Sequence, residues 1–341
     1  MAESGEQDKV YVIDSTLMLY RYFRGLPAMS ANGRRTEAVY GYGKMLLSLM
    51  AKRPGGVIAV FDHGQHNFRN YVLPAYKENY IAMPAELKAQ QELAQQMCAV
   101  LGVDVYNVNE VEADDVIATL AKKVVKLGKE VVVVSTDHDF FQLIDDHTQV
   151  LVPAAENQGL GEVPILYDES AAYTWLRMKY DVTFDPKLIA DLKAIAGSTA
   201  KGIPGVRGIG EKGAAKLVAQ YGSVDKIVKA LAKMPSGKGS PREKIEASLG
   251  NLMMSRELTK VSTDVRLKQF KPESVTGLKS YDTQVANTFF EVLGMKDLAR
   301  KSRRLADTLN VGVEVVGGHD DASGQEIVLE TAKGKPEPLF C

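Results

Sequence analysis

Seven carboxylates stand where an α/β chain places the groups that do its chemistry, at strand ends and at the start of a helix. Asp14 closes the apolar run Val10–Ile13, and Asp62 closes Val57–Phe61. Asp137 and Asp139 follow the valine run 131–134, and Glu112, Asp114 and Asp115 open the helical stretch Val116–Leu120. In an open parallel sheet, ligands bind beyond the carboxyl ends of the strands, so three strand ends and one helix start can converge there. Carboxylates brought together repel one another and call for cations. An all-oxygen ligand set without His or Cys suits Mg²⁺ or Mn²⁺, ions that bridge substrate phosphates. The chemistry these residues predict is metal-dependent phosphodiester cleavage. The plainer alternatives are a helix start decorated with acids, for Glu112 to Asp115, and an N-cap, for Asp137 or Asp139.

The elements needed to position such a cluster are legible in the apolar periodicity. Short strands at 10–13, 57–61, 103–107, 131–135 and 149–152 alternate with helical stretches around 37–52, 84–101 and 113–127. Strands separated by helix-length segments imply βαβ units and a mostly parallel sheet. From Pro186 to about Ala247 the pattern is helical with short Gly/Pro turns. Residues 283–304 read as one last helix. The expected division is a catalytic α/β domain over 1–178, a helical DNA-binding subdomain over 179–304, and a flexible tail over 305–341.

Two further motifs carry cations. The stretch Gly202-Ile-Pro-Gly205-Val206-Arg207-Gly208-Ile209-Gly210-Glu-Lys212 continues into Gly-Ala-Ala-Lys216-Leu, a helix-hairpin-helix signature. A glycine-rich hairpin opening a helix exposes backbone N–H groups that hold phosphate without reading bases. Arg207, Lys212 and Lys216 add salt-dependent backbone contacts along the same track. Nearer the acids, Phe68-Arg69 and Tyr76-Lys77 interleave aromatics with cations. Stacking on Tyr76, with Arg69 and Lys77 neutralising phosphate oxygens, would suit a single-stranded 5′ end.

Charge and composition agree with a polyanionic partner. The net charge of −1 conceals a basic segment at 179–260, with 15 lysines and arginines against 8 acids. Two cysteines make no disulfide framework, and no apolar run reaches the ~18 residues of a membrane span. No targeting segment is evident in the acidic start. A soluble monomer of the cytoplasm, nucleus or an organelle is expected.

In order and approximate spacing, these motifs resemble the 5′-nuclease family: flap endonucleases, phage 5′-exonucleases and the N-terminal nuclease domain of bacterial DNA polymerase I. The likeness runs from about residue 9 to 304, and with no polymerase domain following, the chain looks like a stand-alone member. The resemblance implies a PIN-like fold and structure-dependent 5′-3′ cleavage of DNA flaps, overhangs or nicks, in replication and repair. It makes Asp14, Asp62, Glu112, Asp114, Asp115, Asp137 and Asp139 metal ligands, and places Lys77 on the scissile phosphate. It gives the hairpin from Gly205 to Gly210 duplex backbone, with K⁺ bound by carbonyls such as those of Val206 and Ile209. Two departures stand out. Family members carry two aspartates just before the hairpin, where this chain has Ser198 and Lys201. Tyr80 likewise replaces a common arginine. One ion would then be held firmly and a second weakly, with slow cleavage. The rival reading is a DNA-binding module with decayed chemistry. A PIN-type RNA nuclease is disfavoured by the duplex-gripping hairpin. A phosphatase with an aspartyl nucleophile is disfavoured by Thr16, where a second Asp would be needed.

Overall fold

Strand β1 (Lys9–Asp14) sends Val10 and Val12 to one face of a sheet and Tyr11 and Ile13 to the other, and all four are buried. A strand apolar on both faces belongs in the interior of a covered parallel sheet. In the computed structural model, which describes residues 5–64, 67–79, 81–154, 163–267 and 270–310, β1 lies there. It pairs in parallel with β4 (Gly56–Val60) and β6 (Glu130–Val134), after a two-residue hairpin of β2 (Ser30–Ala31) and β3 (Arg34–Arg35). The six-stranded sheet has the order β5-β4-β1-β6-β7-β8, with β5 at Asp104–Tyr106, β7 at Thr148–Val152 and β8 at Ile165–Tyr167. Within this sheet, among the described residues, only β7 and β8 pair antiparallel. The chain runs outward from β1 through β4 to β5, then returns to place β6 on the other side of β1. That reversal opens a crevice at the carboxyl ends of β1 and β6.

One face of the sheet is covered by α1 (Ser15–Gly25), α2 (Glu37–Met50), α4 (Ala85–Val100), α12 (Thr283–Val292) and α13 (Lys296–Asn310). The other carries α5 (Ala113–Lys126) and, beyond it, α6 (Glu169–Tyr180), α7 (Ile189–Ala196), α8 (Glu211–Tyr221) and α9 (Val224–Ala230). Helices α10 (Pro241–Ala247) and α11 (Leu249–Thr259) complete this layer, with Ile245 and Leu252 in the same core. The short α3 (Arg69–Val72) packs beside α11. The segment through Leu309 forms one compact unit.

The expected helix over 283–304 is two helices. Gly294, at φ +70°, turns the chain between α12 and α13, a left-handed conformation that costs glycine little. Helix α13 also runs past residue 304, so the first six residues of the expected tail are helical. Residues 311–341, like Tyr80, lie outside the described residues. Helices α1, α3, α6 and α11 and the strands β2, β3 and β8 have no counterpart in the periodicity read from the sequence. Among the described residues, no helix is long and apolar enough to cross a membrane.

Candidate metal and DNA-binding site

The acids reach the crevice because each sits one step beyond an element the sheet holds rigid. Asp14 ends β1 and caps α1, accepting from Leu17 N–H at 3.2 Å. Asp62 lies beyond β4 and takes the Ala113 N–H, at the start of α5, at 2.9 Å. Asp137 caps the turn after β6, accepting from Asp139 N–H at 2.8 Å. Capping and a site role coincide here, because the same strand-to-helix turn serves both. Two groups passed over in the sequence tie the ends together. Ser135 donates to Asp14 at 2.9 Å and accepts from Asp137 N–H at 3.0 Å. Thr16 accepts from Asp62 N–H at 2.9 Å. A hydroxyl one or two residues from a strand-end acid was the available signal for both.

The seven carboxylates divide by their partners. Glu112 is held by Lys77 Nζ at 2.5 Å, Asn67 Nδ2 at 2.9 Å and the Tyr76 hydroxyl at 3.3 Å. Burial would raise its pKa, yet the charges of Lys77 and Arg69 outweigh that and hold it below the usual carboxylate range. Asp115 is fully buried and gripped bidentately by Arg69, at 2.6 and 2.9 Å. Asp139 accepts Lys201 Nζ at 3.2 Å on one oxygen and meets Lys193 Nζ on the other; Lys193 also lies 3.8 Å from Asp137. Among the described residues, no ion pair closes on Asp14, Asp62 or Asp114. Burial, reinforced by the charge of Asp62, pushes Asp14 up to about 7. Burial likewise raises Asp62, and Asp114 well above its ordinary value. Lys201 offsets part of the charge of Asp62 and Asp114, and Lys77 part of that of Asp62, yet burial still prevails at all three acids, which leaves a place that favours a cation.

That division has a consequence for stability. Without divalent ions, Asp14 binds its proton more tightly when folded than when unfolded. The folded state is therefore favoured at low pH and loses that advantage as pH rises from about 4 to about 7. In EDTA, the melting temperature of the wild type relative to Asp14→Asn should fall across this range, and Ca²⁺ should remove the fall. A difference independent of pH in EDTA would show that Asp14 is not held in an uncompensated site.

Several sequence expectations change. Arg69 donates to Asp115 and to the carbonyls of Leu258 and Lys260, at 2.9 and 3.2 Å, and is 2% exposed. It fastens α3 and α5 to the end of α11 and lines the cleft beside the acids, with its guanidinium taken up by both oxygens of Asp115. Tyr76 is 3% exposed, packed with Ile203 and Leu258, so its ring is not a stacking platform. Lys77 does line the site. It adopts φ +56°, costly for a side chain with Cβ, with its N–H fixed on the Lys201 carbonyl at 3.1 Å. Among the described residues, no three His, Cys, Asp or Glu side chains converge on one point closely enough to coordinate an ion. The all-oxygen donor set and the buried acids without a direct ion pair fit a hard divalent cation, which the carboxylates would have to approach more closely to hold. Beside the acids, an open cleft is lined by Arg69, Tyr76, Glu112, Asp114, Asp139, Lys193, Ser198 and Lys201. Lys193, on α7, escaped the sequence reading because nothing in its local pattern points toward Asp139.

The segment from Gly197 to Gly210 links this cleft to the hairpin. Ser198 and Ile203 exchange backbone hydrogen bonds at 2.8 Å, closing a tight loop. Gly205, at φ +60°, lies so close to Gly197 that a Cβ would sit 2.4 Å from its nitrogen. Gly205 is buried and shapes the turn, whereas Arg207, Gly208, Gly210, Lys212 and Lys216 are exposed. Val206 and Ile209 bury their side chains, and the Val206 carbonyl accepts from Ile209 N–H at 3.0 Å. The Gly208 carbonyl accepts from Lys244 Nζ at 3.1 Å.

This geometry can be set beside known proteins. The N-terminal resolvase-like domain of 5′-3′ exonucleases matches residues 9–171, and the 5′-3′ exonuclease C-terminal SAM fold matches residues 184–283. The chain belongs to the 5′-3′ exonuclease family. DNA polymerase I of Bacillus subtilis (strain 168) is 33% identical over 330 residues, covering 96% of this chain and 35% of the polymerase. The thermostable DNA polymerase I of Thermus aquaticus is 35% identical over 261 residues, covering 76% of this chain and 29% of the polymerase. The chain thus spans about a third of the length of the curated relatives it matches. A T5 5′-exonuclease structure with bound zinc aligns with a TM-score of 0.57 at 21% identity, covering 88% of this chain and 98% of that one. Human GEN1 in complex with Holliday junction DNA aligns at 0.58 and 14% identity, covering 90% and 75%. Both likenesses establish the PIN-like sheet with its helical partner as the shared fold.

Proposed function

We propose that this protein is a divalent-metal-dependent, structure-selective 5′-nuclease that acts on DNA flaps, overhangs or nicks in replication and repair, with attenuated activity. The observation that carries the reading is the trio Asp14, Asp62 and Asp114, buried at the carboxyl edge of the sheet with no direct ion pair among the described residues, and joined by one short segment to an exposed basic hairpin. The metal-bound T5 exonuclease and the DNA-bound GEN1 structure support it by analogy. Mg²⁺ or Mn²⁺ held by Asp14, Asp62 and Asp114, with Glu112 and Asp137 near, would polarise the phosphodiester and activate water. Lys77, oriented by Glu112, sits where an ammonium can contact a phosphate oxygen. The hairpin's exposed N–H groups, with Arg207, Lys212 and Lys216, hold duplex backbone away from the cut, and Val206 and Ile209 are the carbonyls where K⁺ would bind.

The test is cleavage of an end-labelled 5′-flap over Mg²⁺ and Mn²⁺ titrations, beside binding measured in Ca²⁺. Cleavage at the flap base supports the reading. Tight flap binding with no cleavage in either metal would favour the rival, a DNA-binding module, for which the lysines on Asp139 already speak. On the hairpin, Arg207→Ala or Lys212→Ala should weaken every duplex-containing substrate alike and lower the salt slope by about one unit per lost phosphate contact. A changed sequence preference at constant slope would remove these residues from a backbone-holding role.

A further inference from the structure

The two cations on Asp139 come from different elements and are both fixed. Lys193 projects from the last turn of α7. Lys201 sits in the loop that replaces the expected aspartates, its N–H within 3.3 Å of Ser198 Oγ and its carbonyl bound to Lys77 N–H. Their ammonium groups meet the two oxygens of one carboxylate, and Lys193 also faces Asp137. Two ammonium groups carry the charge of one divalent ion. A metal bound to Asp139 would have to displace both, giving up two charge-assisted contacts in a half-buried cleft. Among the described residues, no ion pair closes on the acids beside this pair, Asp14, Asp62 and Asp114.

We propose that Lys193 and Lys201 are catalytic residues whose ammonium groups replace a second divalent ion at Asp137 and Asp139. The proposal rests on the nuclease reading above. In it, metal binds only on the Asp14–Asp62–Asp114 side, and the lysines receive the scissile phosphodiester on the other. Hydrolysis adds water across a P–O bond: the water oxygen bonds to phosphorus, the ester bond breaks, and the departing oxygen takes up a proton. Fixed ammonium groups offset the charge that develops on that oxygen without moving during the reaction.

Mn²⁺ binding to the full chain, measured by isothermal titration and by electron paramagnetic resonance, decides the assignment apart from activity. Wild type and Asp139→Asn should bind the same number of Mn²⁺ ions with affinities within about threefold, while Asp14→Asn loses an ion. Flap cleavage by a folded Lys193→Met/Lys201→Met variant should fall by about 100-fold, equivalent to ~2.7 kcal/mol of barrier, and added Mn²⁺ should not restore it. Lys201→Arg should retain a measurable part of the rate. Loss of an ion in Asp139→Asn would overturn the proposal. So would a double-methionine variant that binds an extra ion and cleaves as fast as wild type or faster, since the lysines would then be blocking a metal site. A wild type that cleaves no flap at any metal concentration would count against the nuclease reading, whereas the ion counts would still decide whether the lysines occupy the second site.

Discussion

Asp14→Asn should reduce flap cleavage by at least 1,000-fold while raising the stability of the metal-free protein. The two effects have one cause. Asp14 is buried at the switch point, where burial and Asp62 push its pKa up to about 7. At neutral pH the folded chain therefore carries an unfavourable charge that a bound cation would offset. Asparagine removes that charge, keeps Oδ1 to accept from Leu17 N–H and presents Nδ2 to donate to Ser135 Oγ, so the strand end should keep its shape. On the proposed function, the loss in rate would follow from weakening the hold on an ion that would polarise the phosphodiester; three decades correspond to about 4 kcal/mol. The measurements are single-turnover cleavage at saturating Mg²⁺ and urea denaturation in EDTA at pH 7.5. A mutant that is more stable yet cleaves at the wild-type rate would remove Asp14 from the ion's coordination. One that is less stable in EDTA would contradict the uncompensated charge.

Arg69→Met should be among the most destabilising single changes in the molecule. It leaves Asp115 fully buried and charged beside Glu112, with only the Ser262 N–H, at 2.7 Å, still donating to it. It also strands the Leu258 and Lys260 carbonyls that end α11. Breaking one side of a buried pair costs about 3–5 kcal/mol. Replacing both partners with apolar residues of similar volume is much less costly. Arg69→Met/Asp115→Leu should thus recover a large part of the loss. Urea denaturation of the two single variants and the double forms the cycle that checks this. Additive losses would show that the pair does not act as a unit. Unaltered stability in Arg69→Met would mean the guanidinium is not holding α3, α5 and α11 together.

Which acids belong to the crevice was legible because a parallel sheet puts ligands beyond the carboxyl ends of its strands, and Val10–Ile13, Val57–Phe61 and Val131–Val134 each end in Asp within a few residues. The glycine pattern from Gly202 to Gly210 marked the hairpin, because left-handed turns there admit little else. The mostly parallel strands β1, β4, β5, β6 and β7 and the strand-end position of Asp14, Asp62 and Asp137 were determined by the sequence itself. What each charged side chain touches was decided by tertiary structure. Arg69 lies next to Phe68 and near Lys77 in sequence, yet its partners, Asp115, Leu258 and Lys260, come from two distant elements. Tyr76 looked like a stacking surface until Ile203 and Leu258 closed over it. Lys193 has the local pattern of an ordinary helix lysine, and only the packing of α7 against the turn after β6 brings it to Asp139. Local sequence encodes backbone period and turn type through short-range sterics. The pairing of charges depends on which elements the fold brings within a few ångströms, and electrostatic interactions in a partly buried site are decided over that distance.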